Sequence, residues 1–92
     1  MAHVTDQKKK LLTRVSRIQG QLEGIRKALE EDQECSALLQ QIAACRGAMN
    51  GLMLEILEGE VRFHVLSPTA KANSSEARAA EELIEVLQTY IK

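Results

Sequence analysis

The chain has 92 residues, of which 45% are hydrophobic, 27% charged and 2% aromatic, with two cysteines, one proline and a net charge of −1. A chain this short buries only around 60% of the surface it exposes unfolded, so it needs a metal, disulfides or a partner chain to secure its core. Two cysteines without a CxxC exclude a disulfide scaffold, no apolar run is long enough to span a membrane, and Phe63 and Tyr90 alone cannot make a base-stacking platform.

The opening residues Met1, Ala2, His3, Val4, Thr5 and Asp6 do not read as a signal peptide, which predicts a cytoplasmic protein. Leu11, Val15, Ile18, Leu22, Ile25 and Leu29 step by 4, 3, 4, 3 and 4. That heptad-like seam predicts a helix over about residues 6–31, with Thr5 as N-cap and Asp6 in its first turn. The acidic cluster Glu30 to Glu34 marks a turn, with Asp32 a candidate N-cap for the next helix. Leu38, Ile42, Cys45, Met49, Leu52 and Ile56 repeat the same spacing, and no proline intervenes before Pro68. A second helix is therefore predicted over about 34–65. Residues 66–74 read as a linker. Asn73 with Glu76 resembles a capping box, and Leu83, Val86, Leu87, Tyr90 and Ile91 mark a third helix over about 75–91. The whole, 1–92, is one all-α domain of three helices.

The second helix, at 1.5 Å per residue, is about 45 Å long, whereas a compact globule of this size is only about 32 Å across. Its seam must be covered by another chain. Antiparallel pairing of two helical hairpins into a four-helix dimer core is the economical solution, and a dimer of dimers extends it. Gly20 and Gly24, and Gly47 and Gly51, sit at i, i+4 inside predicted helices, which points to close helix–helix contact there.

Charge is segregated along the chain. Residues 1–27 carry seven Lys/Arg against Asp6 and Glu23, a net +5, while residues 28–60 carry seven acidic residues against Arg46, a net −6. Lys10, Arg14 and Arg17 lie within about 60° of one another on the first helix, and Lys8 and Lys9 extend that positive end. Such a stripe, doubled or quadrupled by assembly, suits the phosphates of duplex DNA. The candidate DNA-binding residues are Lys8, Lys9, Lys10, Arg14, Arg17 and Arg46.

His3, Cys35, Glu60 and His64 are the candidate metal ligands. Glu60 and His64 share a helix face at i, i+4. Cys35 opens the second helix, where unpaired amides and the helix dipole favour a thiolate. Cys35 and His64 lie too far apart along one helix to meet in one chain. In an antiparallel pair, Cys35 of one subunit approaches Glu60 and His64 of the other, and the hairpin brings His3 to the same end. Two imidazoles, a thiolate and a carboxylate suit Ni(II), Co(II) or Zn(II). Cys45 sits in the apolar seam and reads as core. No catalytic triad, paired acid/base carboxylates or glycine-rich phosphate loop is present, so the chain is not read as an enzyme, and no organic cofactor is expected.

With those residues in place, the sequence resembles the CsoR/RcnR/FrmR family of bacterial metal- and formaldehyde-sensing repressors. The resemblance runs over essentially the whole chain. It is strongest from Leu12 to Gly24 (LTRVSRIQGQLEG) and from Cys35 to Glu58 (CSALLQQIAACRGAMNGLMLEILE). It implies a tetramer of three-helix protomers that binds its operator in the apo form and is released by an inducer. It also implies a thiolate from Cys35 of one subunit with positions 60 and 64 of the other, and DNA contacts at Arg14 and Arg17. The nickel/cobalt branch is similar in His3, Cys35 and His64 but has histidine where this chain has Glu60. The copper branch has cysteine where this chain has His64. The formaldehyde branch has proline after the initiator methionine, where this chain has Ala2, whose amine would join Cys35 through the aldehyde carbon. A helical adaptor that binds no DNA is the third alternative.

Overall fold

The computed structural model describes residues 7–62 and 71–91, which form three α-helices and no strand. They are α1 (Lys8–Glu30), α2 (Cys35–Glu60) and α3 (Ser75–Tyr90). The all-α expectation holds.

Gln7 occupies the N-cap of α1 without a side-chain cap bond; the expected capping residues Thr5 and Asp6 lie outside the described residues. At the other end the chain turns through a left-handed corner. Asp32 has φ 52°, its N–H donates to the Leu29 carbonyl at 3.3 Å, and the Gln33 N–H donates to the Ala28 carbonyl at 2.9 Å. This is the paired closure of a Schellman motif, with aspartate where glycine is usual. Asp32 therefore ends α1 and does not cap α2; Glu34 takes the N-cap of α2. The helical path continues from Glu60 through a wider turn at Val61 and Arg62. The rest of the expected span to residue 65 lies outside the described residues. Ser74 caps α3, its Oγ accepting from the Ala77 N–H at 3.1 Å, while Asn73 stands beside it at φ 67°. The cap thus falls one residue later than the capping box of Asn73 and Glu76 predicts.

α1 and α2 form an antiparallel hairpin whose heptad seams divide into two rows. Leu11 and Ile18 are buried and Ile25 half-buried against α2, whereas Leu22 and Leu29, at 54% and 58%, stay exposed. On α2 the row of Leu38, Cys45 and Leu52 turns inward, and Ile42 and Met49 turn out. Each predicted seam is therefore too wide for one neighbour. α3 meets the C-terminal end of α2, where Val61, Ala80 and Ile84 are buried together with Leu87 against them. Arg62 pairs with Glu81 at 2.7 Å, and the Gln88 amide donates to Glu58 at 2.9 Å across the same junction. The expected face of α3 is shifted: Ala80 and Ile84 are buried, while Leu83, Val86 and Tyr90 are exposed.

The body measures 55 × 26 × 13 Å, with a radius of gyration of 17.3 Å, against about 12 Å for a compact chain of this length. It is one helix thick, so both broad faces are open. The glycines do not mark close contacts within the chain: a Cβ on Gly20, Gly24 or Gly47 would meet nothing within 4 Å. Gly51 differs, because its Cβ would lie 3.1 Å from Nη1 of Arg14.

Candidate functional site

Cys35 is the first residue of α2 and is exposed, while Cys45 is buried as expected of a core thiol. Glu60 is the last residue of the same helix and half-buried. The two belong to one outward seam. Cys35, Leu39, Ile42, Arg46, Met49, Met53, Ile56 and Glu60 step by 4, 3, 4, 3, 4, 3 and 4, and all but Ile56 and Glu60 are exposed. This seam is distinct from the one that periodicity of apolar residues alone picks out, because it includes a thiol, a guanidinium and a carboxylate. An open apolar groove of about 320 Å³ between Met49, Leu52, Met53, Ile56 and Leu57 adjoins it.

At 1.5 Å per residue the 25 steps from Cys35 to Glu60 span about 38 Å, so the two cannot share an ion within one chain. Among the described residues, no group of three or more His, Cys, Asp or Glu side chains could hold a metal ion. The other expected ligands, His3 and His64, and the amine-bearing Ala2, lie outside the described residues. The donors Cys35 and Glu60 fit a borderline divalent ion in chemistry, and in position only when a second chain supplies the opposite end of its seam.

The basic residues divide by face. Lys8, Lys9, Lys10 and Arg17 are exposed on α1. Lys10 Nζ lies 2.7 Å from Glu55 Oε1, and Arg14 Nε lies 2.5 Å from Glu55 Oε2. Glu55 itself is mostly buried, its side chain 15% exposed. The hydrogen bond from Lys10 holds its carboxyl below the usual range, with the charges of Arg14 and Lys10 adding to that against the cost of burial. Sequence reasoning counted Glu55 only as part of an acidic excess. The available signal was register: a hairpin reversing near residues 32–33 sets Lys10 level with Glu55. Arg46 precedes Glu55 by nine residues, which is half a turn around the helix at 100° per residue, so it faces away from the stripe. The structure joins Lys10 and Arg14 and leaves Arg46 on the outward seam.

Among the described residues, no helix is long and apolar enough to cross a membrane. Residues 7–89 match the family described as metal-sensitive transcriptional repressors. The chain is 46% identical over 95 residues to the transcriptional repressor RcnR of Salmonella paratyphi B, covering all of both chains. It is 51% identical, again over all of both chains, to an uncharacterized protein from the bioA 5′ region of Serratia marcescens. A solved variant of the formaldehyde-responsive regulator FrmR from Salmonella enterica serovar Typhimurium superimposes with a TM-score of 0.65 at 42% identity, over 92% of this chain and 94% of that one. An all-helical hairpin with an added third helix, and full-length similarity to repressors rather than enzymes, lead to one assignment: the chain belongs to the metal-sensitive transcriptional repressor family.

Proposed function

We propose that this chain is a cytoplasmic repressor that binds operator DNA in its apo form and is released by Ni(II) or Co(II). It acts as a homodimer of antiparallel hairpins that pairs into a homotetramer. Lys8, Lys9, Lys10, Arg14 and Arg17 are the DNA-binding residues in this reading, Arg46 being left out because it stands on the seam that the second copy covers, and His3, Cys35, Glu60 and His64 hold the ion.

The observation that carries the reading is the outward seam of α2, which begins at Cys35 and ends at Glu60. A second copy laid antiparallel on that seam sets the thiol of one chain against the carboxylate of the other, at both ends. Its exposed apolar residues supply the reason to pair. When bound, the ion supplies a fixed positive charge that gathers donors from two chains. His3 and the N-terminal amine lie just before α1, so drawing them toward Cys35, Glu60 and His64 shifts the segment that leads into the basic stripe. The coupling is reciprocal: operator DNA weakens metal binding by the factor by which metal weakens DNA binding.

Formaldehyde is the second reading, favoured by the exposure of Cys35 at the start of α2 and by the likeness to a formaldehyde-responsive regulator. Here the Cys35 thiol and the Ala2 amine, freed by removal of Met1, bond to the aldehyde carbon, and its oxygen leaves as water. An adaptor without DNA binding has no support from a family of transcriptional repressors.

The test is release of operator DNA from the purified protein by Ni(II), Co(II), Zn(II) and formaldehyde in parallel. Release by Ni(II) or Co(II), lost in Cys35→Ala with DNA binding intact, is the expected result. Release by formaldehyde alone transfers the assignment to the second reading. A Cys35→Ala variant that still responds to metal shows that the site is elsewhere.

A further inference from the structure

Resting on the reading of α1 as the DNA-binding face, we propose that Glu55 is an internal competitor for DNA phosphate: it holds Lys10 and Arg14 in the free protein and gives them up when a duplex binds. The cluster has the composition of a protein–phosphate contact. One two-oxygen anion faces two cations, with Lys10 Nζ 2.7 Å from one oxygen and Arg14 Nε 2.5 Å from the other, the second an ion pair without hydrogen-bond alignment. A carboxylate and a phosphate present similar paired oxygens to a guanidinium, so the same donors serve either partner but not both at once.

Three features make Glu55 more than an incidental surface pair. It is carried by α2 while its partners are on α1, so the contact belongs to the fold and not to local helix spacing, unlike Arg26 with Glu23 and Glu30. It is mostly buried, whereas Lys10 is 68% exposed, so the cations and not the carboxylate can swing toward solvent. Gly51 leaves room for the Arg14 guanidinium beside α2, where even an alanine methyl group would crowd it. The carboxyl is held in its charged form at neutral pH by these partners, so competition operates throughout the physiological range.

The balance decides the sign. Glu55 reduces the three charges of Lys10, Arg14 and Arg17 to a net two, and each phosphate contact must displace it. Because the pairing with Glu55 is broken before either cation meets a phosphate, removing the competitor tightens binding, while the number of phosphate contacts, and with it a log–log salt slope of about 0.9 per contact, stays the same.

The experiment measures binding of the full-length, metal-free protein to a short random-sequence duplex across a salt series, because phosphate contacts do not depend on sequence. Glu55→Gln keeps the shape and removes the charge. It is expected to bind roughly three- to tenfold more tightly at low salt, with the slope unchanged because the same phosphates are contacted. Arg14→Ala, run alongside, is expected to bind more weakly. Unchanged affinity in Arg14→Ala refutes the DNA-binding reading of α1. Weaker binding in Arg14→Ala with unchanged or weaker binding in a folded Glu55→Gln refutes the competition. Carbon-13 NMR of the Glu55 carboxyl in the unsubstituted protein gives a readout independent of any variant. Its resonance is expected to move as duplex is added, and a resonance that stays fixed while the duplex binds overturns the proposal.

Discussion

Cys35 and Glu60 share one outward seam of α2 and stand at its opposite ends. If their roles are joined across a dimer, two defective chains can repair each other. Cys35→Ala homodimers and Glu60→Ala/His64→Ala homodimers are each expected to lose tight Ni(II) binding. Mixed and refolded together, they form heterodimers in which one end of the seam is intact and the other lacks every one of these donors. Isothermal titration is expected to find a restored fraction of sites in the mixture, and none restored if each chain builds its own site.

The exposed methionines of the seam report on pairing. Met49 is half exposed and stands near the middle of α2. Met49→Asp places a charge where an antiparallel copy would desolvate it, at a cost of several kcal/mol per dimer. Sedimentation velocity is expected to show dissociation of Met49→Asp at concentrations where the unsubstituted chain remains assembled.

α3 is held by a small apolar contact, of which Ile84, at 3% exposure, is the most buried member. Ile84→Ala removes that wedge against Val61, with an expected loss of about 2–4 kcal/mol. Hydrogen exchange is expected to rise first across Ser75–Tyr90, with the α1–α2 hairpin retaining its protection. A uniform rise through all three helices would show that α3 does not open separately.

Glu55 makes a pH-dependent contribution of defined sign. Its carboxyl is held below the ordinary value of 4.5 by Lys10 and Arg14, so its stabilisation is fully present above that value and is lost as pH falls through the lower, folded one. Glu55→Gln is expected to lower stability at neutral pH by up to about 1 kcal/mol and to flatten this part of the acid limb in denaturant titrations. It thereby weakens the fold while tightening DNA binding. These are opposite effects that a general structural defect would not produce.

The helices were legible because apolar residues recur at steps of 3 and 4 over long stretches, and α1, α2 and α3 fall within a few residues of the expected spans wherever they are described. Two caps were misread for one reason. Asp32 and Asn73 belong to the residue types that favour helix N-caps, but the same short polar side chains also tolerate left-handed backbone, and both residues adopt it, at φ 52° and 67°. Asn73 lies one residue before the actual cap, Ser74, and Asp32 two before Glu34. Of the candidate site, the placement of Cys35 and Glu60 at the ends of α2 followed from helix length. The outward seam did not, because Arg46 and the terminal donors interrupt an apolar pattern and hide its period. Glu55 was hidden as well: a charge count sees one more acidic residue, and only the register of the hairpin shows which cations it meets.

Gly51 draws these observations together. Three helix glycines of the hairpin, Gly20, Gly24 and Gly47, face open space within the chain, but at Gly51 the missing methyl is the room in which the Arg14 guanidinium rests. Alanine would strengthen α2 by up to about 1 kcal/mol in helix preference, while the Arg14 guanidinium would have to give by a few tenths of an ångström. At this position the backbone is left weaker than it could be, and what that weakness leaves is a little room for the tip of a single side chain on the neighbouring helix.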